Sequence, residues 1–282
     1  MLSVDELNDR LIDLSFAEDI GDGDHTTLCC IPEDAMGKSH LLIKEEGILA
    51  GVEVAREVFR RFDPEMQVEV IMGDGSKVKN GDIAMIVTGR VRSLLQTERL
   101  MLNIMQRMSG IATMTGRYVE RLAGTKTRVL DTRKTTPGMR MLEKEAVKAG
   151  GGTNHRIGLF DMILIKDNHI DFAGGIEKAI KRANDYCREH GKDLKIEVEV
   201  RSLDDIRRVL ACGGVDRIMF DNFTPELTAE AVRLVDGRYE TESSGGITID
   251  NLREYGEAGV DFISVGALTH SVKGLDMSFK AF

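Results

Sequence analysis

From residue 128 onward the chain repeats one pattern. Short apolar runs, RVLDT (128–132), MILIKD (162–167), KIEVEV (195–200), DRIMFD (216–221), YETESS (239–244) and VDFISVG (260–266), are separated by stretches with helical spacing. Those stretches are MRMLEKEAVKAG, GGIEKAIKRANDYCREH, SLDDIRRVLACG, TPELTAEAVRLV and TIDNLREYGEAG. Strand, helix, strand at this cadence predicts a parallel sheet with helical crossovers. Six such strands without a reversal favour a barrel or an incomplete barrel over an open sheet. In barrels of this kind the chemistry sits at the C-terminal ends of the strands.

Residues 1 to about 90 follow another grammar. Asp5 to Phe16 has helical spacing, with Leu7, Leu11, Leu14 and Phe16 near one face. GDGDHTT (21–27) reads as a polar loop. HLLIKEEGILAG and MQVEVIMGDGSKVKNGDIAMIVTGRV read as short strands broken by Gly-Asp and Asn-Gly turns, with a helix, VEVAREVFRRF (52–62), between them. This half is expected to be a strand-rich α+β unit. Arg92 to Leu122 is helical and rich in Met, and a break at Ser109-Gly110 is expected to divide it into two helices. The Met stripe is assigned to the core, while Arg99 and Asn103, four apart, share a face.

Composition limits what the chain can meet. It has 282 residues, with 47 Asp and Glu against 38 Lys and Arg, a net charge of −9. That balance offers no broad basic face, so nucleic acid is not an expected partner. No stretch reaches the roughly 18 uncharged apolar residues of a membrane span. The N-terminal MLSVDELNDRLIDLSFAEDIGDGD has neither the basic nor the apolar region of a secretory signal. A cytoplasmic location is expected. Cys29, Cys30, Cys187 and Cys212 have spacings suited neither to zinc nor to disulfides, and are expected as small buried apolar residues.

Cations accumulate where the strands end. Between Arg128 and Ile170 stand eight Lys or Arg and five Asp or Glu, a local +3 inside an acidic chain. Arg133 and Lys134 are adjacent just after the first strand, in DTRKTTPGMR (131–140). His155, Arg156 and Lys166 come before and after the second. Arg has a planar fork of donors that fits a carboxylate two bonds at a time. Two Arg, one Lys and one His suit a small molecule with more than one carboxylate. Lys166 ends an otherwise apolar strand and needs an anion, either a substrate or a structural partner such as Asp131 or Glu199. Lys144 and Lys148 are read as solvent-facing.

Two Gly-containing loops suit a phosphate. ESSGGIT (242–248) places Ser244, Gly245 and Gly246 before an expected helix start, and VGALTHS (265–271) places Gly266 after the next strand. Backbone N–H groups at such turns donate to anions. Glu197 and Glu199 share one face of their strand. With Asp221, Glu199 could hold Mg²⁺ beside substrate phosphates, stabilise a developing positive charge, or pair with Lys134 and Lys166.

DTRKTTPGMR, GGGTNHRIGLFDMILIKDNHI, VEVEVRSLDD, IMFDNFTPE, ESSGGIT and GVDFISVGALTHS resemble the motifs of the quinolinate phosphoribosyltransferase family, the carboxylating nicotinate-nucleotide pyrophosphorylases. EDIGDGDHTT and TERLMLNIMQRMSGIAT match its N-terminal half, so the resemblance runs from about residue 18 to the end. It implies a mixed α/β, type II phosphoribosyltransferase-like fold. Residues 1–108 would form an α/β sandwich, 109–270 an incomplete α/β barrel, and the tail 271–282 would return to the first domain. The implied reaction turns quinolinate and phosphoribosyl pyrophosphate into nicotinate mononucleotide, pyrophosphate and carbon dioxide, with substrate-bound Mg²⁺ and no organic cofactor.

Carried over by motif, Arg133, His155, Arg156 and Lys166 would bind the quinolinate carboxylates, beside Thr132. Arg99 would complete that pocket from a neighbouring subunit, which implies a homodimer or higher homo-oligomer with shared active sites. Lys134, Glu199 and Asp221 would face the phosphoribosyl pyrophosphate and its metal, and together with Lys166 form the catalytic group. Ser244, Gly245, Gly246, Gly266 and His270 would hold the 5′-phosphate. Rival readings are a molybdenum-transport-associated paralogue of the same fold, a barrel lyase using Lys166 as a Schiff-base lysine, and a non-catalytic anion-binding protein.

Overall fold

The structure is a computed structural model that describes residues 3–282; Met1 and Leu2, which open the expected first domain, lie outside the described residues. In chain order the elements are α1 (Val4–Ile20), α2 (His25–Cys30), β1 (Met36–Ile43), β2 (Gly47–Ile48), α3 (Val52–Phe62), β3 (Gln67–Val70), β4 (Lys77–Val78), β5 (Ile83–Arg90) and α4 (Val91–Arg121). Then follow β6 (Arg128–Leu130), α5 (Arg140–Ala149), β7 (Ile163–Ile165), α6 (Asp167–Ala173), α7 (Ile176–Glu189), β8 (Ile196–Val200) and α8 (Leu203–Cys212). The last are β9 (Arg217–Asp221), α9 (Pro225–Val235), β10 (Glu240–Ser244), α10 (Leu252–Glu257), β11 (Phe262–Ser264), α11 (Ala267–His270) and β12 (Met277–Ala281). They form two compact units. The first holds the chain through Gly116, with Thr135–Gly151 and Leu268–Phe282; the second holds Arg117–Lys134 and Gly152–Ala267.

In the second unit all six predicted strands form one sheet, ordered β6-β11-β10-β9-β8-β7, and every pairing is parallel. β6 and β7 are its two edges, so the barrel is incomplete. Thr153, in the chain between them, adds one parallel bridge to Leu130 on the β6 edge. The period of two decides what each face carries. Ile196, Val198, Val200, Ile218 and Phe220 pack against Ile176, Ile180, Ile206, Val209, Ala231 and Val235 of the crossover helices. Burying such a side chain is worth roughly 1.5–3 kcal/mol. The alternate positions put Glu197, Glu199, Arg217, Met219 and Asp221 on the other face. The sequence places strand around Lys166 and Asp167, but β7 stops at Ile165 and the chain turns at once into α6.

The first unit is built on an antiparallel sheet, β12-β1-β5-β3, with the C-terminal strand β12 paired to β1. β2 and β4 pair separately. α3 spans the predicted residues and buries Val52, Ala55, Val58 and Phe59 on one face. Phe59 stacks on Phe279 of β12 at 6.0 Å between ring centroids.

Four expectations for local structure are corrected. GDGDHTT is not all loop: the Asp24 carboxylate caps α2 by accepting the Thr27 N–H at 3.1 Å. Cys29, Cys30 and Cys212 are exposed rather than buried, because α2 is short and Cys212 ends α8. Lys144 is fully buried, not solvent-facing, since α5 also buries Met141, Leu142, Glu143, Ala146 and Val147 around its circumference. Glu143 there receives the Arg107 guanidinium at 2.7 Å.

The fourth concerns Ser109-Gly110, which does not break the long helix: α4 runs for 31 residues. The Ser109 hydroxyl bonds the Ala50 main chain, donating at 3.1 Å and accepting at 2.9 Å. Gly110 lets another backbone close in, since a Cβ there would stand 2.2 Å from the Lys273 carbonyl oxygen. Glycine at this point serves packing rather than a bend. Among the described residues no helix is long and apolar enough to cross a membrane.

Gly110→Ala separates the two roles. Alanine recovers about 1 kcal/mol of helix propensity, but overpacking against backbone costs roughly 1–3 kcal/mol or more. The expected outcome in denaturant unfolding is a net loss of about 1–2 kcal/mol. Unchanged or higher stability would show that the contact yields freely.

Candidate active site

Because the sheet of the second unit is wholly parallel, its strand ends share one rim. Asp131 follows β6, Lys166 follows β7, Glu199 is the penultimate residue of β8, Asp221 ends β9, Ser244 ends β10 and Gly266 follows β11 by two residues. The six elements thus deliver most of the sequence-selected residues to one place. Arg99 and His270 belong to the first unit.

The cations are held close together. Arg156 is half-buried, and its Nη1 donates to the Met162 carbonyl at 3.3 Å. Burial, followed by the nearby Arg133 charge, holds the Arg156 guanidinium below its ordinary pKa. An anion beside this half-buried guanidinium would favour its charged form. Arg133 and Lys134 are exposed, and the Lys134 N–H donates to Thr132 Oγ1 at 3.0 Å. Lys166 realises the structural partner that the sequence left open: its Nζ donates to Glu199 Oε2 at 2.6 Å. A Schiff-base lysine needs an apolar pocket or a second cation beside it. Lys166, with its side chain 44% exposed and set against the Glu199 carboxylate, has no apolar pocket around it.

His155 lies deeper. Its main-chain N–H donates to Asp131 Oδ1 at 2.8 Å. Its Nδ1 accepts the Arg156 N–H at 2.6 Å, and its Nε2 stands 3.0 Å from Glu197 Oε2 and 3.6 Å from Glu242 Oε2. Both ring nitrogens therefore face protein groups. Arg217 Nη1 donates to Glu242 Oε2 at 2.9 Å and Nη2 to Glu240 Oε2 at 3.0 Å, with the guanidinium 4.1 Å from the Phe262 ring centroid. Burial pushes Glu242 up to about 8, helped by the Glu197 charge and opposed by His155 and Arg217. Burial likewise pushes Glu197 up to about 7, opposed first by Arg217.

The glycine loop after β10 is shaped by close approach. Gly245 has φ +94°, and a Cβ on it would stand 2.2 Å from Asn222 Oδ1. Asn222 is itself left-handed, at φ +57°; its N–H donates to the Ser244 carbonyl and its Nδ2 to Asp221 Oδ2, at 2.8 and 2.9 Å. Ser244-Gly245-Gly246 does not run straight into a helix as expected. A turn intervenes in which Asn251 Oδ1 accepts the Thr248 N–H at 2.8 Å, and α10 starts only at Leu252. Gly266 does lead directly into a helix, the four-residue α11.

The chain matches two family models: Quinolinate phosphoribosyl transferase, N-terminal domain, over residues 24–109, and its C-terminal domain over 111–280. The chain belongs to the quinolinate phosphoribosyltransferase family. Among curated relatives, the chloroplastic nicotinate-nucleotide pyrophosphorylase [carboxylating] of Arabidopsis thaliana is 44% identical over 285 residues, covering 96% of this chain and 81% of its own. Quinolinate phosphoribosyltransferase [decarboxylating] 1b of Nicotiana tabacum is 43% identical with the same coverage. The crystal structure of NadC from Streptococcus pyogenes superposes with a TM-score of 0.92 at 39% identity, covering 100% of this chain and 99% of that one.

Within this quinolinate phosphoribosyltransferase scaffold, the sequence reading passed over Glu197, Glu242 and Arg217 as site residues. The signal was present in the period of two, which puts Glu197 beside Glu199, Arg217 in line with Asp221, and Glu242 with Ser244. What hid them is depth, since charged side chains inside a sheet are rare and invite assignment to the rim.

The raised Glu242 pKa has a consequence for stability. The folded state keeps a proton that the unfolded chain releases above about 4.5, so it binds more protons up to about 8. The unfolding free energy should therefore fall as pH rises from 5 to 8. Urea titrations across that range should show a shallower decline in Glu242→Gln, and an identical slope would remove Glu242 as its source.

Proposed function

We propose that this chain transfers the phosphoribosyl group of phosphoribosyl pyrophosphate to quinolinate with loss of one carboxylate, giving nicotinate mononucleotide, pyrophosphate and carbon dioxide. The observation that carries the reading is the convergence of the strand ends on one rim, where Arg133 follows β6 and half-buried Arg156 lies in the chain leading to β7, cations whose forked donors suit a dicarboxylate. Lys166 adds a third cation there, and Thr132 a hydroxyl beside them. The chemistry follows from charge. The pyridine nitrogen forms a bond to C1 of the ribose as the C1–O bond to pyrophosphate breaks. The resulting pyridinium accepts the electron pair released when the adjacent carboxylate leaves as carbon dioxide, and a proton then replaces the carboxylate on the ring. No organic electron sink is required, so the protein contributes positioning and electrostatics.

Glu199 and Asp221 lie on one face of adjacent strands and offer hard oxygen donors, the type that Mg²⁺ carried by a pyrophosphate takes. Such a substrate-borne ion would neutralise charge on the leaving group. Lys134, next to Arg133, is assigned to the pyrophosphate, and Ser244, Gly245, Gly246 and Gly266 to the 5′-phosphate. Arg99 is assigned to the site of a neighbouring subunit, making the working form a homodimer or larger homo-oligomer.

Purified protein given quinolinate, phosphoribosyl pyrophosphate and Mg²⁺ should release nicotinate mononucleotide and carbon dioxide in equal amounts; absence of both ends this reading. Arg133→Ala should weaken quinolinate binding by roughly 2–5 kcal/mol, the cost of truncating one side of a forked ionic contact, and normal affinity by calorimetry would refute the assignment. Mixing Arg99→Ala with Lys134→Ala should recover part of the activity that each lacks alone. No recovery in mixed oligomers would place Arg99 in the site of its own chain or outside any site.

A further inference from the structure

Three buried charged side chains of the second unit, Glu197, Glu242 and Arg217, have no part in the reaction just described; the two carboxyls stand against the His155 ring, and Arg217 stands behind Glu242. His155 Nδ1 accepts the Arg156 N–H, so in the neutral ring the proton belongs to Nε2. That nitrogen is buried 3.0 Å from Glu197 Oε2 and 3.6 Å from Glu242 Oε2, a charge contact rather than an aligned hydrogen bond. Glu242 is in turn tied to Arg217, whose guanidinium rests on Phe262 and reaches Glu240. From the other side, Asp131 at the end of β6 accepts the His155 main-chain N–H. The peptide carrying Arg156 is thus fixed from two directions, by Asp131 through the backbone and by the carboxylates through the imidazole.

The atoms His155 Nε2, Glu197 Oε and Glu242 Oε lie within 4.8 Å of one another, a spacing that could also hold a cation. The ring tautomer and the neighbouring Arg217 charge argue otherwise. An Nε2 that carries the ring proton has no lone pair for a metal, and Arg217 already supplies positive charge to Glu242 at 2.9 Å. Nor is the ring placed to donate to a substrate, because both of its nitrogens face inward.

We propose that Glu197 and Glu242 are positioning residues for quinolinate: by holding His155 from inside the sheet they fix the backbone at Arg156, and with it the guanidinium that meets a substrate carboxylate. This rests on the proposed function, in which Arg156 is a carboxylate ligand. Groups that orient a ligand from behind commonly matter by roughly tenfold or more.

The test compares Glu197→Leu, which keeps the size and removes the acceptor, with Glu197→Gln, which keeps an acceptor oxygen. Steady-state kinetics on the intact protein should show KM for quinolinate raised about tenfold in Glu197→Leu, with kcat and KM for phosphoribosyl pyrophosphate within about twofold, and Glu197→Gln restored most of the way. Equal changes for both substrates, no change, or no rescue by glutamine would overturn the proposal. If Glu197→Leu fails to fold, Glu197→Asp, which withdraws the carboxylate by one methylene, gives the same split by calorimetry with each substrate alone. A stoichiometric metal ion in the purified protein that is lost in Glu197→Gln would also overturn it, by making the three residues a ligand set. Wild-type protein without transferase activity would defeat the proposed function itself, whereas an active wild type with a normal Glu197→Leu defeats only this inference.

Discussion

Charge enclosed on the inner face of a parallel sheet governs the second unit. Helices cover one face of the sheet and take its apolar residues, leaving the other face free for Glu197, Glu199, Arg217, Asp221 and Glu242. Carboxylates removed from water are costly unless paired or protonated. The structure meets that cost in two layers. At depth, Arg217 and His155 stand against Glu197 and Glu242, and burial still leaves both carboxyls with raised pKa values. Nearer the rim, Lys166 pairs with Glu199. Nearer the rim too, burial first and then the nearby Arg133 charge hold Arg156 below its ordinary pKa.

The layering also explains how a chain of net charge −9 serves anionic substrates. Binding depends on the local field at a site rather than on the whole-molecule charge. Acidic residues on the surface do not cancel a cationic rim set on a low-dielectric sheet. An incomplete barrel suits this arrangement. With β6 and β7 not paired to each other, the chain between them buries His155 and leaves Arg156 only half-buried.

Much of this was legible in the residues. The strand cadence from 128 onward predicted the number and parallel sense of the strands, because apolar runs of that length with amphipathic connections have few other solutions. Arg133, Arg156 and Lys166 could be chosen because fixed cations near the ends of apolar strands need anions, and for Lys166 the structure supplies one in Glu199. Lys144 was misjudged for the same reason that Gly110 was: helical spacing tells which residues share a face, but not whether a second element covers that face. The exposed Cys29, Cys30 and Cys212 are the converse, apolar by type and left outside by short helices.

Sequence alone determined the parallel sheet, the rim at which its strands end, the residues delivered there, and the family to which their motifs point. These follow from local periodicity and residue chemistry, which act over a few positions. Tertiary structure alone decided which edges stay open, β6 and β7, which of its candidate partners Lys166 takes, Glu199, and that His155 Nε2 is buried 3.0 Å from Glu197. Those outcomes depend on contacts between strands dozens of residues apart, where burial and charge balance select among partners that sequence order leaves equivalent.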